Sequence, residues 1–136
     1  MSTKIFVNLP VKDLKKSMEF FSKLGYSFNK QFTDEKAACM VVSEDIYYML
    51  LLGKFFKTFS IKEITDTSKS NESISSLFLD SRKEVDEIVD MALAAGAKIT
   101  RDPQEYEDWM YSRSFEDLDG HLWEYGWMDP GHVIQQ

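Results

Sequence analysis

The apolar positions of the chain fall into two successive sets that share the same plan. In the first, Ile5-Phe6-Val7-Asn8-Leu9-Pro10-Val11 is an apolar run suited to a strand, and its proline restricts the end of that strand to an edge or a bulge. Asp13 comes next, placed to accept a hydrogen bond from the free N–H groups of a first helical turn. Leu14, Met18, Phe21 and Leu24 recur at spacings of four, three and three, giving one apolar helical stripe. Gly25 then supplies the left-handed residue that ends the helix. Strand-like runs at 26–32, 37–42 and 46–52 complete the set, with Ser43-Glu44-Asp45 as the turn before the last.

The second set repeats this order. Ile74-Ser75-Ser76-Leu77-Phe78-Leu79 reads as a strand, and Ser81 with Glu84 three residues later is a capping-box pattern. Val85, Ile88, Val89, Ala92 and Leu93 form the stripe, and Gly96 ends the helix. Shorter runs at 98–100, 111–115 and 122–127 come after it, the last two separated by the turn-rich Asp117-Leu118-Asp119-Gly120. The plan is therefore βαβββ twice, a duplication of pattern rather than of identity. Residues 4–52 form the first module and 74–130 the second, within a single domain spanning 1–136. Residues 53–73, rich in Lys, Ser, Thr and Glu, read as a solvated linker able to act as a lid. Phe55, Phe56 and Phe59 suggest one short helical turn at its start.

Composition narrows the function classes. A 43% hydrophobic, 14% aromatic chain has the material for a core that a disordered segment lacks. A net charge of -7, with the two signs interspersed, opposes nucleic-acid binding, which needs a concentrated basic surface. No apolar run reaches the length of a membrane span, and residues 1–6 carry no signal-like stretch. With Cys39 as the sole cysteine, no intramolecular disulfide can form. The expectation is a cytoplasmic protein without membrane or nucleic-acid partners.

The strand–Val11-Lys12-Asp13–helix–Gly25 opening resembles that of the vicinal-oxygen-chelate superfamily. That superfamily includes lactoylglutathione lyase (glyoxalase I), bleomycin-resistance proteins and extradiol dioxygenases. The most specific stretch is Phe115-Glu116-Asp117-Leu118-Asp119-Gly120-His121-Leu122-Trp123-Glu124. It is similar to the superfamily's terminal hairpin: an aromatic strand, an Asp-Pro-Asp-Gly turn and a last strand carrying an acidic ligand. Leu118 stands where the proline is usual, and Trp127-Met128-Asp129-Pro130 resembles the segment found after that strand in glyoxalase-like members. The resemblance runs from about Lys4 to Pro130. It implies an α+β fold in which two βαβββ modules, each with a curved mixed sheet, enclose a cleft, often completed in a homodimer.

In metal-using members the first and last strands of both modules supply four ligands to a divalent ion such as Ni²⁺, Fe²⁺, Mn²⁺ or Zn²⁺. The resemblance carries the acidic ligand of the last strand onto Glu124. The other three positions fall near Phe6, Met49 and Ser76. Phe6 and Met49 offer no hard donor, and a lone carboxylate with a serine is a poor site for such ions. Alternation places Asn8 with Phe6, Tyr47 with Met49, and Leu122 and Gly126 with Glu124.

Glu124 is accordingly the leading site residue, as a cleft carboxylate acting as ligand or general base. A purely structural reading pairs it with Arg113 on the neighbouring strand. Phe6, Asn8, Tyr47, Met49, Ser76 and Arg113 are expected to line the ligand cleft, with Trp109, Tyr111, Trp123 and Trp127 as further aromatic candidates. His121 lies three residues from Glu124 and so on the opposite face of a strand, while His132 reads as part of a tail. Cys39, in an apolar run without a nearby histidine, reads as a packed core thiol. Three functions stay open: a metal-poor protein that binds a small organic ligand, a metal-dependent lyase or dioxygenase, and a metal-independent enzyme using Glu124 as base.

Overall fold

A computed structural model describes residues 3–132 and contains two compact units, Met1–Asp66 and Thr67–Gln136. In the first, β1 (Ile5–Val11) leads into α1 (Leu14–Lys23), followed by β2 (Ser27–Asn29), β3 (Ala37–Val41), β4 (Ile46–Leu52) and the short α2 (Gly53–Phe56). The sheet order is β1-β4-β3-β2. Strands β2, β3 and β4 pair antiparallel, and β4 returns beside β1 in parallel.

The local signals act as the sequence suggests. Asp13 caps α1 by accepting from the Lys16 N–H at 3.1 Å. At the other end Gly25 takes φ +103°, letting its own N–H reach Ser22 O at 3.0 Å and that of Tyr26 reach Phe21 O at 3.1 Å. The buried side of α1 is Leu14, Ser17, Phe20 and Phe21. It is rotated from the expected stripe, because Ser17 and Phe20 face inward while Met18 and Leu24 are only half-buried. The expected 26–32 strand ends early. Asn29 accepts from Gln31 N–H at 2.9 Å and turns Lys30–Phe32 into a 3₁₀ turn.

The second unit repeats the order with β5 (Ile74–Leu79), α3 (Arg82–Ala94), β6 (Lys98–Ile99), β7 (Gln104–Tyr106), β8 (Met110–Glu116) and β9 (Leu122–Met128). Its sheet runs β5-β9-β8-β6, with β7 also pairing β8, and β5 lies parallel to β9. Strand β7 has no counterpart in the sequence reading, since Gln104-Glu105-Tyr106 is polar and largely exposed and lacks apolar alternation. Ser81 caps α3 through Glu84 N–H at 3.1 Å. The Glu84 carboxylate accepts from Asp80 N–H at 2.9 Å, one residue before the position a capping box would use.

The β8–β9 turn is held by a buried carboxylate. Asp117, 7% exposed, accepts from Asp119 N–H at 2.9 Å and His121 N–H at 3.0 Å through Oδ1. Its Oδ2 accepts from the indole N–H of the fully buried Trp123 at 2.9 Å. Burial pushes the Asp117 carboxyl above the ordinary aspartate range, while nearby His121 and these N–H donors pull the other way. Gly120 adopts φ +81°, and a Cβ there would stand 2.5 Å from Thr67 Oγ1. That hydroxyl donates to Asp119 O at 2.5 Å, so the 53–73 segment is tied to this turn at Thr67 rather than being solvated throughout. The start of the segment forms α2 and a 3₁₀ turn at Lys57–Phe59, as the three phenylalanines suggest. Among the described residues no helix is long and apolar enough to cross a membrane.

Asp117→Asn preserves size but turns an N–H toward the indole N–H of Trp123. An unpaired buried donor costs about 1–3 kcal/mol. The expected result is an unfolding free energy lowered by that amount, read by tryptophan fluorescence in a denaturant titration. An unchanged value would show that the carboxylate does not hold the turn.

Candidate functional site

The parallel pairing of first and last strand sets the site in each unit. Directly opposed residues share a face, so the β1–β4 register places Phe6 beside Tyr47 and Asn8 beside Met49. The Phe6 and Tyr47 rings stack at 4.7 Å between centroids, and Lys4 Nζ lies 5.8 Å from the Tyr47 ring centre. Tyr47 also donates to Glu44 O at 2.7 Å. Phe6 is 48% exposed and Asn8 is exposed, whereas Leu9, Val11, Tyr48 and Leu50 on the opposite face are buried. The first-unit residues named from the sequence thus form one half-open, mainly apolar patch. Cys39 is fully buried, and burial pushes its thiol pKa up, which suits a packed thiol.

In the second unit, the same register logic places Ser76 beside Glu124, with Ser114 on its other side. Ser76 Oγ donates to Glu124 Oε1 at 2.8 Å. Arg101, in the segment between β6 and β7, reaches Glu124 Oε2 through Nη2 at 3.4 Å. Thr100 and Ser114 share a 2.7 Å hydrogen bond between hydroxyls. Two positions along the strands, Phe78 pairs with Gly126, and a Cβ on that glycine would lie 2.8 Å from the Phe78 ring. The missing side chain lets the aromatic ring rest across the strand. The Glu124 face is therefore a carboxylate with a guanidinium and small hydroxyls, bordered by an exposed phenyl ring.

Arg113 does not belong to this face. Its register partner is Tyr125, one residue out of phase with Glu124, so its side chain points toward α3. There its Nη1 pairs with Asp86 Oδ1 at 3.0 Å and Asp90 Oδ1 at 2.9 Å. The expected Glu124–Arg113 pairing is corrected to Glu124–Arg101. Tyr111, Trp123 and Trp127 alternate onto the same helix-side face and so do not line the Glu124 face. Trp109 lies between β7 and β8 and stacks with His132 at 4.2 Å, which gives the supposed tail histidine a fixed partner. Arg101 escaped the sequence reading because β6 is only two residues long and the segment after it has no periodicity. Nothing in the sequence indicates where so short a strand releases its side chains.

The Asp86 carboxylate also accepts from Tyr111 Oη at 2.6 Å. Burial, followed by that hydrogen bond to an anion, pushes the Tyr111 hydroxyl up to about 12. A raised folded-state pKa adds stability that is complete below the ordinary tyrosine value and is lost as pH rises through the folded one. Tyr111 should ionise late in an alkaline absorbance titration, and Tyr111→Phe should shrink the late step by one phenol. A wild-type titration without it would contradict the Tyr111–Asp86 bond.

The metal centre implied by the superfamily resemblance does not fit these residues. Among the described residues, no group of three or more His, Cys, Asp or Glu side chains could hold an ion. Phe6 has no donor, Ser76 spends its hydroxyl proton on Glu124, and Arg101 already brings a positive charge to the remaining carboxylate oxygen.

With this geometry in view, the chain has the α+β fold of the glyoxalase/bleomycin-resistance/dioxygenase superfamily, with two mixed sheets of four and five strands. Residues 3–43 match a family model described as bleomycin resistance protein-like N-terminal. A hypothetical protein from S. aureus is similar at 28% identity, with 92% of this chain and 93% of that one covered and a TM-score of 0.76. A glyoxalase/bleomycin resistance protein/dioxygenase family enzyme from Burkholderia phytofirmans PsJN aligns at TM-score 0.79 and 14% identity, covering 93% and 99% of the two chains. The genomically encoded fosfomycin resistance protein FosX from Listeria monocytogenes aligns at TM-score 0.69 and 20% identity, covering 98% and 99%. No curated protein matches the chain.

Proposed function

We propose that this protein binds a small organic molecule and holds it without metal-assisted conversion. The bleomycin- and fosfomycin-resistance names of its structural relatives make a small-molecule ligand the natural class. One observation carries the choice of binding over metal chemistry. Both oxygens of Glu124 are engaged, by Ser76 and by Arg101, and the other positions where ligands would stand are Phe6, Met49 and Ser76. Apolar surface with a few polar groups suits an organic ligand. Here Phe78 beside Glu124, and the Phe6–Tyr47 stack with Met49 and Asn8, supply both kinds.

A homodimer is part of this proposal. Strands β1 and β5 are sheet edges, and they expose Ile5, Phe6, Ile74 and Phe78. Uncovered apolar edges favour pairing with another chain.

Metal content of protein purified without chelators tests the reading, with Glu124→Ala as control. The expected result is substoichiometric transition metal in both proteins. One equivalent in the wild type that disappears in Glu124→Ala would replace this reading with a metal-dependent lyase or dioxygenase. Sedimentation equilibrium should give twice the 15.8 kDa chain mass. A stable monomer throughout the concentration range would remove the dimer from the proposal.

A further inference from the structure

We infer that Arg101 is the resident cation of the Glu124 face, and that this face takes a small molecule carrying a carboxylate or similar oxyanion beside an apolar body. The inference rests on the ligand-binding reading above and names its chemical class.

A carboxylate on a half-buried sheet face needs a counter-charge. Glu124, with its side chain 21% exposed, finds it in Arg101, 23 residues away in sequence. A guanidinium neutralises the carboxylate as a cation would, yet its chemistry toward a third group differs. A metal ion offers open coordination positions. Arginine offers a planar fork of N–H donors matched to the paired oxygens of a carboxylate, phosphonate or phosphate. The contact with Glu124, at 3.4 Å, is a single long one through Nη2. Arg101 donates to no other residue among those described, and its side chain is 55% exposed. Most of the fork is therefore presented outward.

The sign of the ligand follows from which partner is accessible. Glu124 is the more buried member of the pair and has Ser76 on its other oxygen, so an approaching molecule meets the positive end first. Nearby, Lys98 stands opposite Glu116, another carboxylate of this face, across the β6–β8 register. The chain's net charge of -7 opposes anions at long range, but ions screen that field beyond about 8 Å at physiological salt. At contact distance the guanidinium decides.

The rest of the face suits the same kind of molecule. The short Thr100, Ser76 and Ser114 side chains keep the surface beside the pair low, and the member of the Thr100–Ser114 pair that accepts in their mutual bond keeps its own proton to donate to an oxyanion. Phe78, 45% exposed and seated over Gly126, lies two register positions away as an apolar platform. A planar or aliphatic body could rest there while its anionic head faces Arg101.

Four probes that share a phenyl ring test the charge requirement on the full chain: benzoate and phenylphosphonate as anions, benzamide as the neutral isostere of benzoate, and benzylammonium as the cation. Binding is followed by calorimetry and by amide shifts at physiological ionic strength. At least one anion should bind about tenfold more tightly than benzamide, in keeping with a charge-assisted pair. That advantage should disappear in Arg101→Gln and be partly kept in Arg101→Lys. It should be unaffected in Lys83→Gln, a change on the exposed side of α3. Equal binding of all four probes, stronger binding of benzylammonium, or no binding by either anion would overturn the assignment. So would anion affinity that survives Arg101→Gln. A probe that binds this face irrespective of charge leaves the ligand-binding reading standing. Stoichiometric metal at Glu124 would instead defeat that reading and this inference together.

Discussion

In each unit the first strand returns to lie beside the last one in parallel, and this pairing decides which side chains meet. A parallel neighbour cannot be reached through a tight turn, so an intervening crossover must bridge the sheet. Here the helix and the antiparallel strands between the two ends provide it. Once β5 and β9 are paired, the two-residue period leaves no freedom: Ser76 stands at Glu124, and Phe78 stands at Gly126. The same rule brings Phe6 to Tyr47 and Asn8 to Met49 in the first unit. The backbone of each unit thus fixes which positions stand together on a sheet face, and the side chains at those positions set the chemistry of that face.

That constraint also explains which parts of the molecule were legible in the sequence. Strands 46–52 and 74–79 and the start of both helices carry strong local signals: apolar runs, an Asp or Ser cap, and a glycine at the far end. Each signal acts within a few residues, and the structure places those elements where the signals stand. Elements whose formation depends on a neighbour were less visible. Strand β7 exists because β8 offers it an edge, and its three residues are polar enough to pass for loop. The inward turn of Ser17 and Phe20 reflects the surface that α1 covers rather than its own pattern. For the site, Phe6, Met49, Ser76 and Glu124 came from the superfamily resemblance, and strand alternation added Asn8 and Tyr47. Which charge answers Glu124 did not.

Adjacency of two strands does not by itself pair their charges. Arg113 and Glu124 are on neighbouring strands and close in sequence, which made them a natural pair. A difference of one residue in register puts them on opposite faces. Arg113 then serves the helix side, where it joins Asp86 and Asp90 and leaves Tyr111 hydrogen-bonded to Asp86. Breaking one member of such a partly buried network leaves the others uncompensated. This cluster is therefore best understood as part of the bond between α3 and its sheet. The charge at Glu124 comes from a segment without regular structure, where the chain is free to vary its reach.

The two carboxylates of the terminal hairpin divide its work. Asp117 is buried and has three N–H donors, two from the backbone of its own turn and one from Trp123. A group so fully engaged can shape the turn but has nothing left to offer a ligand. Glu124, seven positions on, has one hydroxyl and one distant guanidinium, and both partners sit at the edge of solvent. The rigidity of the first is what gives the second a fixed address: the turn sets the start of β9, and β9 sets the face on which Glu124 appears. The partners of Glu124 make no hydrogen bond to the turn, whereas Asp117 holds the turn and the first part of β9 together through Asp119, His121 and Trp123. The surroundings of Glu124 can therefore change while the hairpin that positions it stays constant.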